Sequence, residues 1–156
     1  MNVTVNGDRL LQRLDELAEI GAIVGAAGER GSARLALTAE DGLGRDLVVK
    51  WMRDLGLEVS VDGVGNVIAT MPHASGLRPV MTGSHIDTVA TGGRFDGNLG
   101  VLAGLEVIES VMSAGLELQR PLAVGFFTDE EGARFAPDML GSLVYVGGMT
   151  VEEALD

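Results

Sequence analysis

The amino-terminal third of the chain carries apolar residues at the spacing of amphipathic helices. Residues 8–24 place leucine and isoleucine at the i, i+3, i+4 and i+7 positions that share one face of a helix. These residues are Leu10, Leu11, Leu14, Leu17 and Ile20. We expect Gly25 and Gly28 to end this helix, and the polar, glycine-bearing stretch 28–45 predicts a loop that leads into a second helix.

Two helix start signals stand out along the chain. Thr38 is followed three residues later by Asp41, a weaker form of the capping box because aspartate is shorter than glutamate. The apolar face that follows it comprises Leu43, Leu47, Val48, Trp51, Met52 and Leu55. Gly56 fits the position just past the end of this second helix. Thr150 and Glu153 form another capping box, which predicts a last helix.

After Gly56 the apolar period changes from helical to alternating. Residues 57–61 and 66–71 alternate between apolar and polar side chains, and Asp62-Gly63 between them supplies a turn. This pattern predicts a β-hairpin.

The second half of the chain alternates strands and helices. Residues 79–84 predict a short strand that stops at His85, and the apolar run 122–128 predicts a strand covered on both faces. Between them, a helix over 97–112 is expected to bury Leu99, Leu102, Leu105, Ile108 and Met112. This order predicts an α/β fold whose functional sites lie at the carboxyl ends of its strands.

Composition narrows the class of protein. The 156 residues suit one domain, and 46% of them are hydrophobic. With 11 Lys and Arg against 23 Asp and Glu, the net charge of −12 argues against nucleic acid or an anionic membrane as a partner. The absence of cysteine excludes disulfides, thiolate zinc sites and a cysteine nucleophile. We find no secretory leader pattern and no apolar run long enough to span a bilayer, so we expect a cytoplasmic protein.

Two polar clusters follow the predicted strand 79–84. His85 leaves the end of this strand, where its imidazole could ligate a metal, and Asp87 could accept the hydrogen of the other ring nitrogen. The alternative is a loop histidine held by a local carboxylate. Asp96 stands among glycines at the start of the helix 97–112, where a backbone can approach a ligand closely. The alternative there is an ordinary helix N-cap.

A third cluster, Asp129-Glu130-Glu131, follows the apolar strand 122–128. Consecutive carboxylates repel one another, and a divalent metal would supply the missing positive charge; the alternative is a solvated turn. Taken together, a histidine, a glycine-flanked aspartate and a glutamate pair are what a two-metal hydrolase needs. Oxygen and nitrogen ligands without sulfur suit Zn, Mn, Co or Ni.

These segments resemble a family of metal-dependent amidohydrolases. GSHIDTVATGGRFDGNLGVLAGLEVI (83–108) and FFTDEEGARFAPDMLGS (126–142) are similar to motifs of the N-carbamoyl-L-amino-acid hydrolases, β-ureidopropionases and allantoate amidohydrolases. Residues 34–67 are similar to the segment that precedes these motifs. The resemblance implies a three-layer, zinc-peptidase-like catalytic domain with a mixed sheet, of which residues 1–156 are the amino-terminal portion. It also implies hydrolysis of linear amide C–N bonds in carbamoyl or ureido compounds.

The resemblance also implies a role for each motif residue. His85 is implied as a ligand of one of two divalent metal ions, Asp96 as the carboxylate that bridges both, and Glu131 as a ligand of the second. Glu130 is implied as the general base and acid that acts on water, and Asp87 as the partner of His85. The implied substrate is a small carbamoyl or ureido molecule.

The family also has parts that residues 1–156 do not supply. Its members are longer, take further histidine ligands from later segments, and form homodimers through a separate dimerisation domain. His73 lies in a loop and is expected to be exposed rather than a ligand. Arg94 and Arg134 are expected to pair with nearby acidic ligands or face solvent; the alternative is bidentate contact with a carboxylate. We therefore expect an incomplete ligand set, no activity for the isolated chain, and self-association. The alternative is a non-catalytic interaction module or one piece of a split enzyme.

Overall fold

The computed structural model describes residues 3–156. The helices of this part are α1 (Gly7–Ala18), α2 (Ala39–Asp54), α3 (Asn98–Ser113), α4 (Leu140–Tyr145) and α5 (Val151–Leu155). Its strands are β1 (Ala22–Val24), β2 (Arg30–Ser32), β3 (Glu58–Val61), β4 (Val67–Thr70), β5 (Val80–His85), β6 (Gly92–Gly93) and β7 (Leu122–Phe127). The last helix begins at the predicted capping box of Thr150 and Glu153.

The larger sheet has four strands in the order β3-β4-β7-β5. β3 and β4 form the predicted hairpin, and β4 continues antiparallel to β7. β5 and β7 run parallel, and their register pairs His85 with Phe127 at the carboxyl ends of both strands. The sheet is therefore mixed, and the α/β fold class expected from the sequence is confirmed.

One face of this sheet carries the main hydrophobic core. Alternate residues of β4 and β7 pack there against α1, α2 and α3, and the buried cluster includes Leu14, Leu17, Val48, Met52, Val67, Ala69, Leu102, Leu105, Ile108, Val124 and Phe126. On the other face, Tyr145 of α4 contacts Phe127 edge-on, with 5.4 Å between the ring centroids. Helices on both faces of the sheet give three layers. Across the described residues, no helix combines the length and the hydropathy that a membrane span requires.

The first helix is shorter than the sequence predicted. α1 ends at Ala18 rather than near residue 24, because the chain turns at Gly21, which has a left-handed backbone with φ of +74°. Residues 22–24 instead form β1, which pairs with β2, and β2 pairs in turn with β6. The expectation that 28–45 is a loop was therefore wrong over residues 30–32, which form β2, and over residues 39–45, which already belong to α2. β2 and β6 carry glycine and polar residues, so no apolar alternation marked them.

The second helix begins and ends as predicted. The Thr38 hydroxyl accepts a hydrogen bond from the amide of Asp41 at 3.3 Å, and Gly56, with φ of +77°, follows the helix end. The carboxylate of Asp41 accepts from the amide of Leu37 rather than from that of Thr38. The buried faces of the helices are narrower than the spacing of apolar residues predicted. Four residues expected to be buried there are exposed: Leu11, Leu43, Leu99 and Met112.

A buried glutamate joins α3 to α1. Glu106 accepts hydrogen bonds from the guanidinium of Arg9 at 2.7 Å, from the amide of Asn6 at 2.7 Å and from the Ser110 hydroxyl at 2.8 Å. Burial alone would raise the pKa of Glu106, but these hydrogen bonds outweigh it and hold the pKa below its ordinary value. The sequence pattern gave no sign that this face of α3 buries a charge.

Candidate metal centre

His85 is the last residue of β5, and its ring is buried where the two parallel strands end. Nδ1 lies 2.9 Å from the backbone carbonyl oxygen of Asp87, so a proton on Nδ1 is donated there and Nε2 is left as the nitrogen for a metal. The sequence suggested the carboxylate of Asp87 as this acceptor. In the structure its Oδ1 lies 3.9 Å from Nδ1, which is beyond hydrogen-bond range. The main chain, rather than the side chain, of Asp87 orients the imidazole.

The carboxylate of Asp87 instead holds the turn that follows β7. Its two oxygens accept hydrogen bonds from the backbone amides of Glu130 and Glu131, each at 3.3 Å. Asp129, at the start of this turn, is buried and has a left-handed backbone with φ of +53°. Burial, together with the nearby charge of Asp87, raises the pKa of Asp129 to about 6. The acidic cluster is therefore not the solvated turn that the sequence left as an alternative.

Asp96, just before the start of α3, lies close to His85 and to the acidic turn. Gly97 occupies the N-cap position of this helix, and no side chain caps it, so Asp96 is not the ordinary N-cap of the alternative interpretation. Gly97 has φ of +64° and lies flat against the ring of His85. A Cβ atom at this position would come within 2.5 Å of the ring, so the close approach requires glycine.

A row of glycines brings α3 close to β5. Gly97, Gly100 and Gly104 lie on the helix face that meets the sheet, and a Cβ on Gly100 would come within 2.8 Å of Ser84. A Cβ on Gly104 would come within 2.6 Å of Thr82. Without side chains in this row, the helix approaches the strand closely enough for its first turn to reach the end of β5.

Three side chains from different segments converge at this end of the sheet. His85, Asp96 and Glu131 each offer one ligand atom, and these atoms lie within 4.8 Å of one another. Burial raises the pKa of Glu131 against the opposing effect of His85, and the charge of Asp96 raises it further. A divalent cation would relieve this repulsion, and an imidazole with two carboxylates is a donor set that such cations accept. The residues present therefore fit a divalent metal ion.

Glu130 lies beside this group. Its Oε2 is 3.3 Å from Nε2 of His85, and 33% of its side chain is exposed. A carboxylate that is next to a metal position and in contact with solvent can exchange protons with water there. The arrangement thus combines ligands and a proton acceptor in one place.

Comparison with known proteins assigns the chain to a family. The model of peptidase family M28 matches residues 66–152, which is more than half of the chain. The matched segment contains all three converging side chains and Glu130. The chain belongs to peptidase family M28.

The relatives of this M28 chain include curated amidohydrolases. An N-carbamoyl-L-amino-acid amidohydrolase of Rhizobium meliloti is 46% identical over 154 residues, which cover 98% of this chain and 36% of the relative. An N-carbamoyl-L-amino acid amidohydrolase of Geobacillus stearothermophilus is 45% identical over 152 residues, covering 95% of this chain and 36% of the relative. The resemblance that the sequence motifs indicated is confirmed. The chain spans about 36% of the length of these curated relatives.

A solved structure shows the same fold. A hydantoinase/carbamoylase family amidase from Burkholderia ambifaria matches with a TM-score of 0.91 at 48% sequence identity. The match covers 98% of this chain and 37% of the amidase. The α/β catalytic-domain fold with a mixed sheet, expected from the resemblance to the amidohydrolases, is therefore confirmed for this portion.

Three other polar residues singled out from the sequence of the M28 chain lie outside the converging group. His73 is exposed, and its Nε2 lies 2.9 Å from the carbonyl oxygen of Leu118. Arg94 pairs with Asp15 at 2.5 Å, and Arg134 donates to backbone carbonyls of residues 36 and 37. None of these contacts is to a residue of the candidate metal centre.

Two buried polar residues beside the site were not singled out from the sequence. The Oδ1 of Asn66 accepts a hydrogen bond from the amide of Thr128 at 3.0 Å, which fixes the start of the acidic turn. Arg34 is buried and donates to the carbonyl oxygen of Ile86, the residue after the histidine. Their partners lie far away along the chain, so no local spacing could have marked either residue.

Proposed function

We propose that this chain carries part of the active site of a metal-dependent hydrolase that cleaves linear amide C–N bonds in carbamoyl or ureido compounds. The observation that carries the proposal is the convergence of His85, Asp96 and Glu131 beside the carboxylate of Glu130. Membership of peptidase family M28 and the similarity to curated amidohydrolases support the same class of reaction.

The three converging side chains would hold a pair of divalent ions. In this assignment His85 would hold one ion through Nε2, Glu131 would hold the other, and Asp96 would serve both. The shared position is assigned to Asp96 from the family resemblance, and the spacing of the three ligand atoms, all within 4.8 Å of one another, is compatible with it. The bound ions, which on this donor set are Zn, Mn, Co or Ni, would supply Lewis acidity and lower the pKa of water.

Glu130 would move the proton. Its Oε2 takes a proton from the attacking water and delivers it to the leaving nitrogen, the usual task of a general base that then acts as an acid. Asp87 positions this carboxylate by binding the amide of Glu130. Addition of water across the C–N bond of an N-carbamoyl amino acid yields the amino acid and carbamic acid, which decomposes to ammonia and carbon dioxide.

We propose that residues 1–156 are the amino-terminal part of the catalytic domain. Three side chains are fewer donors than two divalent ions take from proteins, since each zinc ion is usually held by three or four. The remaining ligands, the substrate-binding groups and any dimerisation domain would belong to protein outside these residues. The isolated chain is therefore expected to bind metal weakly and to hydrolyse no carbamoyl substrate.

A chimera tests this proposal. The chain replaces the matching 154 residues of the Rhizobium meliloti amidohydrolase, to which it is 46% identical. We expect the chimera to bind two metal ions per chain, measured by elemental analysis, and to release ammonia from N-carbamoyl-L-amino acids. Ureidopropionate and allantoate are assayed in parallel, because the substrate range is part of the proposal.

Variants of the chimera separate the roles. H85A should lose metal and activity together, whereas E130Q should keep the metal and lower kcat by at least about 100-fold. E117Q, at an exposed carboxylate, is the control and should leave kcat unchanged. A folded chimera that binds metal but hydrolyses none of the three substrates would support the interaction module instead. Full activity of E130Q would contradict the proposed proton-transfer role of Glu130.

A further inference from the structure

Arg34 is the largest of the fully buried side chains in the described part of the chain, and it lies between β2 and α2. A guanidinium is planar and points its N–H groups in fixed directions. Nε of Arg34 donates a hydrogen bond to the carbonyl oxygen of Ile86 at 2.9 Å. Nη2 donates to Oδ1 of Asn98, also at 2.9 Å. One rigid group therefore bonds to two segments that are remote from it in sequence.

These two acceptors belong to the segments that carry proposed metal ligands. Ile86 directly follows His85, and Asn98 comes two residues after Asp96. The guanidinium thus bonds to each segment within two residues of the proposed metal ligand, His85 in one segment and Asp96 in the other. Because the fork of the guanidinium is rigid, it sets the separation of the two acceptors and, through them, the spacing of the imidazole and the carboxylate.

The rest of Arg34 is anchored to the surrounding scaffold. Nη1 donates to the carbonyl oxygens of Leu17 and Ile20 at 3.1 and 2.8 Å, and to the hydroxyl of Ser32 at 3.2 Å. The amide of Arg34 donates to Oγ1 of Thr88 at 2.8 Å, and the amide of Thr88 donates to the carbonyl of Arg34 at 2.9 Å. Hydrogen bonds therefore hold both the guanidinium and the main chain of Arg34.

The burial of this charge is not explained by an ion pair. Every hydrogen-bond acceptor of the guanidinium among residues 3–156 is neutral. Burial lowers the pKa of Arg34, which the more distant charges of Asp41 and Asp87 oppose, and arginine remains charged in proteins. A buried charge costs stability that an apolar side chain of similar volume avoids. What arginine provides here, and an apolar side chain does not, is the set of directed bonds.

We propose that Arg34 is a positioning residue that fixes the spacing of His85 and Asp96 by bonding Ile86 and Asn98 at once. The inference rests on the proposed function only in naming these two residues as metal ligands. The geometric part concerns the protein without metal and is tested separately.

The first experiment measures the geometry in the metal-free chain. Gly97 lies against the His85 ring, so NMR should show a nuclear Overhauser effect between the ring and the Hα atoms of Gly97. The chain has only two histidines, which makes the assignment direct. R34K keeps the charge, but its single nitrogen cannot reproduce the fork. We expect this variant to remain folded and to lose the Overhauser effect.

The second experiment measures zinc affinity in the same variants. We expect R34K to raise the Kd for zinc at least about 10-fold, as the loss of a group that orients a ligand does, whereas the control changes it less than about twofold. The control is R13K. Arg13 is also largely buried, with 12% of its side chain exposed, and joins α1 to α3 through Glu109 at 2.7 Å. A loss of stability common to both variants is thereby separated from a loss of site geometry.

The outcomes distinguish this inference from the proposed function. If R34K keeps both the Overhauser effect and the zinc affinity, or if R13K loses them equally, the positioning role is wrong. If R34K does not fold, N98A removes one acceptor of the fork and must show the same two losses; unfolding of both variants would assign Arg34 to the fold as a whole and overturn the inference. If the chimera described above binds no zinc through His85, the proposed metal centre fails, and the metal-free measurement on the chain still decides the role of Arg34.

Discussion

β5 and β7 are parallel neighbours that both end at the candidate metal centre, but their surroundings differ. β7 lies between β4 and β5, and its residues 123–126 are buried. β5 is an edge strand within the described part of the sheet, and Val80 at its start is 55% exposed. The strand that carries the histidine is thus not the strand that holds the core together. The histidine is fixed by contacts at the end of its strand, from Gly97 and from the Asp87 carbonyl, rather than by sheet pairing on both sides.

The largest effect we expect from this difference is on stability. V124A in β7 removes two methyl groups from a side chain that is 0% exposed, and it should lower the free energy of unfolding by about 2–3 kcal/mol. V80A makes the same chemical change in β5, where solvent already reaches the side chain, and should cost less than about 0.5 kcal/mol. Urea denaturation of both variants makes the comparison. Equal losses would show that β5 is as well packed as β7.

The next effect concerns the contact that fixes the end of β5. G97A adds a Cβ that would come within 2.5 Å of the His85 ring and forces alanine to φ of +64°, so zinc affinity should fall by about 10- to 100-fold. G93A is the control, because a Cβ at that position meets nothing within 4 Å. Isothermal titration with zinc measures both variants. An unchanged Kd for G97A would mean that the ring can move aside at no cost.

A third prediction concerns α3, the helix that covers both strands. E106Q weakens the charged hydrogen bond with Arg9 and should cost about 1–2 kcal/mol at neutral pH. The pKa of Glu106 is lower in the folded chain than in the unfolded one, so this stabilisation is complete above the ordinary value of about 4.3. It is lost as the pH falls through the lowered folded-state pKa.

Denaturation of the parent and of E106Q between pH 7 and pH 3 measures this dependence. The two stabilities should converge toward the acid end. A difference that stays constant over the whole range would show that the charge of Glu106 contributes nothing.

The smallest expected effect compares the two edges of the sheet. β5 offers Val80, Met81 and Thr82 along an edge that no strand of residues 3–156 pairs with, and none of the three is charged. β3, at the other edge, carries Glu58. Exposed edges without charge favour pairing between molecules. We therefore expect the isolated chain to self-associate through β5, and V80K to weaken this association at least about tenfold, or about 1.4 kcal/mol.

V61K in β3 is the matched control, since Val61 is 60% exposed and also lies on an edge strand. It should leave the association unchanged. Sedimentation velocity over a range of concentrations gives the association constant of each variant. A parent chain that stays monomeric would contradict the prediction outright.

What the sequence predicted well depends on residues that are close together along the chain. Thr38 and Gly56 bound α2 through bonds within a few positions, so local spacing was enough to place both ends. The apolar run of β7 likewise marked a strand buried on both faces. His85, Asp96 and Glu131 were singled out because each follows a strand or opens a helix, and the structure brings their ligand atoms within 4.8 Å of one another.

What the sequence did not predict depends on contacts between remote segments. α1 ends at Ala18, just before the place where β1, β2 and β6 come together from separate parts of the chain. The paired residues of β2 and β6 are polar or glycine, so they carry no periodic signal. The guanidinium of Arg34 donates mostly to main-chain oxygens, which every residue has, and its bond to the side chain of Asn98 joins positions 64 residues apart, so no local motif could reveal these partners. The carboxylate of Asp87 was assigned to the imidazole, and in the structure it binds the amides of the acidic turn instead.

Because Asp87 binds main-chain amides, the conformation of the acidic turn does not depend on which side chains the turn carries. The carboxylate grips peptide N–H groups at 130 and 131, and any residue except proline offers the same group. A protein engineer could therefore exchange the two glutamates for imidazole or amide side chains and keep the loop in place, which opens the site to other ions and other reactions. An exchange at position 87 would instead release both positions at once.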